Sequence, residues 1–155
     1  MEQFPTERYM KSGGDYPLKG VSKESISCTQ SYINFWDHLL NTCRTKIIYD
    51  SYLMPSINAW LITFSRSKLR PFRHVATLTS SQIVLSLSKI ANSIREDLEQ
   101  PQRLASAHQR RGSESAARLK KRLDKMHQQI IDIEYLINGH FTGVFKRRYR
   151  DRVAL

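Results

Sequence analysis

The sequence contains little cysteine, and this scarcity excludes two kinds of small domain. Only Cys28 and Cys43 occur among 155 residues, too few for a disulfide framework or a set of zinc ligands. The five histidines have no mutual spacing that resembles a metal-binding motif, so no metal site is predicted. The two cysteines are interpreted as reduced thiols of an intracellular protein.

Long apolar runs are also missing. The richest, Ile57–Phe64, is far shorter than the roughly 18 residues that a membrane span requires. Met1–Lys23 is polar where a signal peptide would need an apolar segment, and no membrane partner is predicted. Hydrophobic residues still make up 40% of the chain, enough for a core, so wholesale disorder is excluded.

Motifs of known catalytic chemistry are absent as well. The sequence has neither a glycine-rich phosphate loop nor a G-x-S-x-G nucleophile elbow. Asp132 and Glu134 are two positions apart, so on a helix their carboxylates face different ways. The prediction is a protein without enzymatic activity, catalytic residues or a cofactor.

Positive charge is abundant and unevenly distributed. The chain has 25 Lys and Arg against 14 Asp and Glu, a net charge of +11, and 17 of the bases fall within residues 65–74, 103–125 and 146–152. A single charged run is most simply a solvated face, but three such runs favour a polyanionic partner, and clustered bases are typical of nucleic-acid binding without sequence specificity. The predicted DNA-binding residues are Lys68, Arg70, Arg73, Lys120, Lys121 and Arg122.

Apolar periodicity predicts four helices. Residues 1–28 are interpreted as a flexible leader, and the first helix is expected near Thr29, with Thr29 or Ser31 as its N-cap. A second helical segment covers Ile47 to Ser65, in which Pro55 marks a kink or a fresh start. Aromatic residues spaced at the helical period in this part of the chain are predicted to be core: Tyr32, Phe35, Trp36, Tyr49, Tyr52, Trp60 and Phe64.

The third and fourth helices are predicted to form a long hairpin. Pro71 suits the first turn of the third helix, Pro101 is expected to bend or end it, and Gly112 and Ser113 mark the tip. The fourth helix, with a stop expected at Asn138-Gly139, has the clearest pattern in the chain, a heptad seam: Leu119, Leu123, Met126, Ile130, Ile133 and Ile137. We expect this seam to pack on four residues of the third helix: Ile83, Leu87, Ile90 and Ile94.

These patterns predict an all-α fold of consecutive antiparallel helices with a long protruding hairpin, and helices paired by short connections are what an α-solenoid contains. No strand alternation and no internal repeat is visible in the sequence. Because a solenoid unit depends on its neighbours, Phe141, Val144 and Phe145 are expected to have an unpaired apolar side.

Five stretches resemble the STAG or stromalin accessory subunits of cohesin, a HEAT-repeat family. They are Phe35-Trp-Asp-His-Leu39, Ile48-Tyr-Asp-Ser-Tyr-Leu-Met54, Ala59-Trp-Leu-Ile62, Ser65-Arg-Ser-Lys-Leu-Arg-Pro-Phe-Arg-His-Val-Ala-Thr-Leu78 and Gly143-Val-Phe-Lys-Arg-Arg-Tyr-Arg-Asp151. The resemblance implies a STAG-like helical domain over residues 29–139 and a truncated start of the stromalin conservative domain over 140–155. We therefore expect either an N-terminal piece of a much larger protein or a truncated gene model.

The resemblance also implies a function. Such proteins are non-enzymatic accessory subunits that support sister chromatid cohesion on chromatin in the nucleus and bind DNA, the kleisin subunit and the SMC ring of cohesin. Tyr149 and Arg150 match the first positions of a surface to which regulators of cohesin bind. The alternative is a stand-alone helical-hairpin adaptor for a protein or an RNA, in which the basic charge only aids solubility. Steep salt dependence of binding would distinguish the first function from the second.

Overall fold

The computed structural model describes residues 16–18, 20–108 and 114–146. Within these ranges the chain forms four α-helices and no strand, which confirms the all-α prediction. A 3-10 turn, Ile47–Tyr49, precedes the second helix and a π-helical turn, Phe141–Lys146, follows the fourth. The α-helices are α1 Lys23–Cys43, α2 Leu53–Ser65, α3 Arg70–His108 and α4 Glu114–His140.

Helix α1 begins six residues earlier than the sequence pattern predicted. Ser22 is its N-cap: the Ser22 Oγ accepts a hydrogen bond of 3.2 Å from the Ser25 backbone N–H. The predicted cap Thr29 instead lies inside the helix, where its hydroxyl donates to the Ser25 carbonyl. Thr29 and Ser31 are therefore wrong as caps, because the first turn of α1 is exposed and polar and carries no apolar period. The proposed domain boundaries at residues 28 and 139 stay predictions.

Three prolines of the described residues lie in helices, and the position of each within its helix determines whether it disturbs the helical hydrogen bonds. Pro55 is the third residue of α2, so the fresh-start alternative is confirmed, and Pro71 is the second residue of α3 as predicted. Pro101 lies inside α3, which continues to His108, so the prediction of an end there is wrong. Pro101 deprives the Asp97 carbonyl of its helical donor, and this loss is tolerable because Asp97 is exposed to water. The predicted tip, Gly112 and Ser113, lies outside the described residues.

Helix α3 is the central element, against which α1, α2 and α4 all pack. Tyr32 Oη lies 2.5 Å from Thr79 Oγ1, and the contact of Asp37 with Ser86 follows further along both helices, so α1 runs parallel to α3. Helix α4 runs antiparallel to α3, because Arg95 pairs with Glu134 and Gln102 with His127. Parallel first and third helices are what a series of antiparallel neighbours produces.

The core lies around the middle of α3. Its fully buried side chains come from every element: Leu40, Ile48, Met54, Ile83, Leu87, Ile133 and Val144. The predicted seam of α4 faces α3, with Leu123 and Ile133 buried and Met126, Ile130 and Ile137 half-buried. Each fully buried aliphatic side chain contributes about 1.5–3 kcal/mol of transfer free energy, so the seam joins the hairpin firmly.

The end of α4 differs from the prediction. The helix passes through Asn138 and Gly139 and continues into the π-helical turn instead of stopping. This turn brings Val144 into the core, whereas Phe141 is 57% exposed, so the expected unpaired apolar side is correct for Phe141 and wrong for Val144. Gly143 permits the packing, because a Cβ there would lie 2.6 Å from Ile62 Cδ1 of α2.

Candidate nucleic-acid and partner-binding surfaces

One group of predicted DNA-binding residues lies on the hairpin. Lys120, Lys121 and Arg122, here called the hairpin cluster, are exposed residues of α4. Consecutive residues of a helix are separated by about 100° each, so the three side chains fan through about 200°. The neighbouring Leu123 is buried and fixes the rotation of α4 about its axis. The three cations are therefore presented to solvent on both flanks of the seam.

The hairpin is polarised in charge along its length. Gln102 of α3 contacts His127 of α4, and the two helices run antiparallel. Residues 117–125, which precede His127 in α4, therefore lie on the outer side of this contact, away from the core. Bases predominate there, whereas the part nearer the core carries acidic residues on both helices: Glu96, Asp97, Glu99, Asp132 and Glu134. The outer part of the hairpin is consequently the more electropositive, an arrangement that attracts a polyanion toward its far end.

A second group lies at the turn between α2 and α3, and its three members differ. Lys68 and Arg70 are exposed to solvent. Arg73 is partly buried, and its Nη1 donates hydrogen bonds to the carbonyls of Ser67, at 2.9 Å, and of Lys68, at 2.7 Å. Lys68, Arg70 and Arg73 are here called the turn cluster. Lys68 and Arg70 present free positive charge, while Arg73 holds the backbone of the turn in place.

The structure does not bring the two clusters together. The turn cluster is at the first residues of α3, and the hairpin cluster lies beyond Gln102, at least 32 residues further along that helix. At 1.5 Å per residue this separation is about 48 Å, the length of roughly 14 base pairs of B-form DNA. One short duplex cannot contact both groups.

The third basic run and the predicted partner-binding residues fall largely outside the described structure. Lys146 is exposed at the end of the π-helical turn. Tyr149 and Arg150 lie outside the described residues, as do the other three bases of residues 146–152, which are Arg147, Arg148 and Arg152.

Aromatic residues form a surface feature that the sequence patterns did not predict. Phe35, Tyr52 and Trp60, all predicted as core, are 55%, 79% and 64% exposed. Helix α2 is apolar on nearly every side, so periodicity could not indicate which side faces α3. One sequence feature could have indicated exposed aromatic rings on α2. No charged residue lies between Leu53 and Phe64, so the solvent-facing side of this helix has to contain uncharged side chains.

One buried titratable residue stands apart from these surfaces. His140, at the end of α4, is fully buried, and neither ring nitrogen has a hydrogen-bond partner. Desolvation lowers the pKa of His140 from 6.5 to about 4, so the ring is neutral at physiological pH. With a ring closed to solvent, His140 is unsuited to act on a ligand.

Two properties of the described residues bear on other classes of function. No group of three or more histidine, cysteine or carboxylate side chains among them could hold a metal ion. None of the helices in that part of the chain has the length and hydropathy needed to cross a bilayer.

These features define a class: an all-α module with a charge-polarised hairpin and an exposed basic turn as its candidate binding surfaces. A sequence model of the STAG domain family matches residues 14–128, and the chain therefore belongs to this family. The match begins ahead of α1 and includes the hairpin cluster.

Individual relatives are similar over most of the chain. Mouse "Cohesin subunit SA-3" is 33% identical over 96% of the chain, and Arabidopsis thaliana "Sister-chromatid cohesion protein 3" is 30% identical over 83%. The chain spans only 12% of the length of each. A human relative, "Putative STAG3-like protein 4", is 28% identical over 78% of the chain, which spans 81% of that protein.

Proposed function

We propose that the chain is a non-enzymatic module of the cohesin type that supports sister chromatid cohesion on chromatin in the nucleus. Membership of the STAG domain family and the similarity to an animal cohesin subunit and to a plant sister-chromatid cohesion protein support this role. The proposed protein partners are the kleisin subunit and the SMC ring of cohesin, with regulators of cohesin bound through Tyr149 and Arg150.

DNA binding is the part of this function on which the described residues bear most directly. We propose that the hairpin cluster binds the phosphates of double-stranded DNA without sequence specificity, and that Lys68, Arg70 and Arg73 of the turn cluster form a second contact region. The single supporting observation is the concentration of exposed cations on the outer part of the hairpin, where residues 117–125 of α4 carry five bases and one acid, Asp124. No helix among the described residues presents a set of side chains that favours reading base edges.

The test is the charge reversal of Lys120, Lys121 and Arg122 to Glu, measured by gel shift with two unrelated duplexes at about 50 mM and about 200 mM salt. We expect affinity to fall about equally for both sequences and the salt slope to flatten by about 0.9 for each phosphate that the variant no longer neutralises. A matched control reverses three exposed bases elsewhere: Lys23 at the start of α1, and Arg44 and Lys46 just after its end. Both variants have the same net charge. If both variants lose affinity equally, net charge and not the hairpin cluster is responsible.

A second candidate function has one observation in its favour. The chain spans 81% of the human STAG3-like relative, so a protein of nearly this extent exists in the family. This favours a stand-alone helical-hairpin adaptor that binds a protein or an RNA. Binding of a partner helix with little dependence on salt would support it, whereas DNA binding that weakens steeply with salt supports the cohesin function.

A further inference from the structure

Three aromatic rings form a continuous exposed surface across the turn between α2 and α3. The ring centroids of Trp60 and Phe64 are 5.8 Å apart, and those of Phe64 and Phe72 are 5.5 Å apart. Trp60 is 64% exposed and Phe72 41% exposed, while Phe64 also packs against the core. Trp60, Phe64 and Phe72 are here called the aromatic row. Such a contiguous apolar surface is typical of an interaction site.

The stretch of chain that carries the aromatic row contains bases and no acid. The sequence contains no Asp or Glu from Ser51 to Arg95, a stretch that includes all of α2 and two-thirds of α3. Three exposed bases, Arg66, Lys68 and Arg70, lie on the short segment that connects Phe64 to Phe72. The rings therefore have a positive rim, which favours a partner with both apolar and acidic side chains.

The segment between the rings is held by its own hydrogen bonds. Arg73 Nη1 donates to the carbonyls of Ser67 and Lys68, and Ser67 Oγ accepts a hydrogen bond of 3.1 Å from the Leu69 backbone N–H. Because the turn is ordered before any partner arrives, binding does not have to supply the free energy of ordering it.

We propose that the aromatic row binds an acidic amphipathic helix of a protein partner. The two ring separations match the 5.4 Å pitch of an α-helix, so hydrophobic side chains at positions i, i+4 and i+7 of the partner can each meet a ring. Asp and Glu beside those positions would pair with Arg66, Lys68 and Arg70. This inference does not rest on the proposed DNA binding of the hairpin cluster.

Two other occupants fit the surface less well. A second copy of the chain would bring the three rim cations of each copy together, and like charges at an interface repel. Duplex DNA would meet the cations but offers no unstacked base to the rings, which is the contact that aromatic side chains make with nucleic acid.

The experiment selects binders of the full chain from a displayed library of random peptides of about 16 residues, roughly four helical turns. Enriched peptides are synthesised with a fluorescent label, and their Kd is measured by fluorescence anisotropy for wild type, Trp60→Ala and Arg70→Glu. The matched control is Tyr135→Ala, since Tyr135 is 78% exposed on α4, away from the turn. Circular dichroism verifies that each variant is folded, as the exposure of the replaced residues leads us to expect.

The expected result is enrichment of peptides with hydrophobic residues at i, i+4 and i+7 and several Asp or Glu. Their Kd should rise at least about tenfold for Trp60→Ala and for Arg70→Glu and stay unchanged for Tyr135→Ala. Failure to enrich such peptides, or equal binding to Trp60→Ala, would overturn the proposal.

Two further measurements test the other occupants. Self-association in analytical ultracentrifugation that Trp60→Ala abolishes would assign the aromatic row to a second copy. Weakening of duplex DNA binding by Trp60→Ala in a gel shift would assign it to nucleic acid. Either result overturns the proposal, whereas neither effect, combined with peptide binding, supports it.

Discussion

Asp37 of α1 accepts a hydrogen bond of 2.7 Å from the Ser86 hydroxyl of α3, and Lys89 Nζ lies 3.6 Å from the same carboxylate oxygen. The hydrogen bond from Ser86 is the main reason why the pKa of Asp37 lies below its ordinary value of 3.8, and Lys89 adds to the effect. This polar contact joins the two helices further along from the contact of Tyr32 with Thr79. It also fixes their register, because Ser86 is buried.

Asp37→Asn should lower the free energy of unfolding by about 0.5–1.5 kcal/mol at neutral pH, since a hydrogen bond to an ionised group is replaced by a weaker one and the site is partly screened by water. The unfolded state of the wild type takes up the Asp37 proton first as the pH falls. The extra stability of the wild type is therefore present above about pH 4 and disappears below it. Urea titrations of both proteins at neutral and acidic pH measure the difference. Ser86→Ala combined with Asp37→Asn should cost less than the sum of the single changes.

Ile133 provides a test of the hairpin seam with a control two residues away. Ile133 is fully buried between α4 and α3, whereas Ile131 is 56% exposed on the same helix. Ile133→Ala should cost about 2–5 kcal/mol, from the forfeited transfer free energy and the cavity left behind. Ile131→Ala makes the same chemical change without a cavity and should cost less than about 0.5 kcal/mol. Similar losses for both variants in chemical denaturation would contradict this packing of α4.

His140 predicts a dependence of stability on pH in mildly acidic solution. Its pKa is 6.5 in the unfolded chain and about 4 when buried, so between these values only the unfolded state is protonated. Stability should be full above pH 6.5 and should fall with decreasing pH, by about 3 kcal/mol at pH 4. His140→Leu removes the group and should flatten this pH profile of the unfolding free energy. His38→Leu, at an exposed position of α1, is the matched control for the loss of a histidine.

The helices that could be predicted from sequence are those with one apolar face. The seam of α4 recurs at spacings of three and four over nineteen residues and faces α3 as predicted. The contacts of Arg95 with Glu134 and of Gln102 with His127 set it opposite α3 from about Ile90 outward, so the predicted packing on Ile83 and Leu87 is wrong in register. The start of α1 could not be located in this way, because its first turn has an exposed, polar surface and is stabilised by the Ser22 cap. Local hydrogen bonding, and not burial, determines that boundary.

The surfaces could be predicted only in part. A cluster of basic residues can be recognised directly in the sequence. The contacts of Arg73 with two backbone carbonyls cannot, because they depend on how the turn folds. Likewise Trp60 was predicted as core because an aromatic residue on an apolar helix is usually buried. Its exposure follows from the packing of α3 and the π-helical turn against other sides of α2, a tertiary arrangement that periodicity does not contain.

The separation of the two basic clusters predicts a dependence of DNA binding on duplex length. A duplex that contacts both must span about 48 Å, roughly 14 base pairs, whereas the hairpin cluster alone needs less. Reversal of Lys68 and Arg70 to Glu should therefore weaken binding of a duplex of about 30 base pairs. The same reversal should leave the binding of a duplex of about 10 base pairs nearly unchanged, because the hairpin cluster alone binds a duplex of that length.

A substitution of Arg73 distinguishes its structural role in the turn from the contribution of its positive charge to DNA binding. Arg73→Lys keeps the positive charge but loses the planar group that contacts two carbonyls, so we expect a lower melting temperature with DNA affinity nearly unchanged. Gel shifts with both duplexes and thermal unfolding by circular dichroism provide the comparison. Equal weakening of both duplexes by the Lys68 and Arg70 reversal would mean that the turn cluster is the primary DNA contact. An Arg73→Lys variant with unchanged melting temperature would contradict the role of Arg73 in holding the turn.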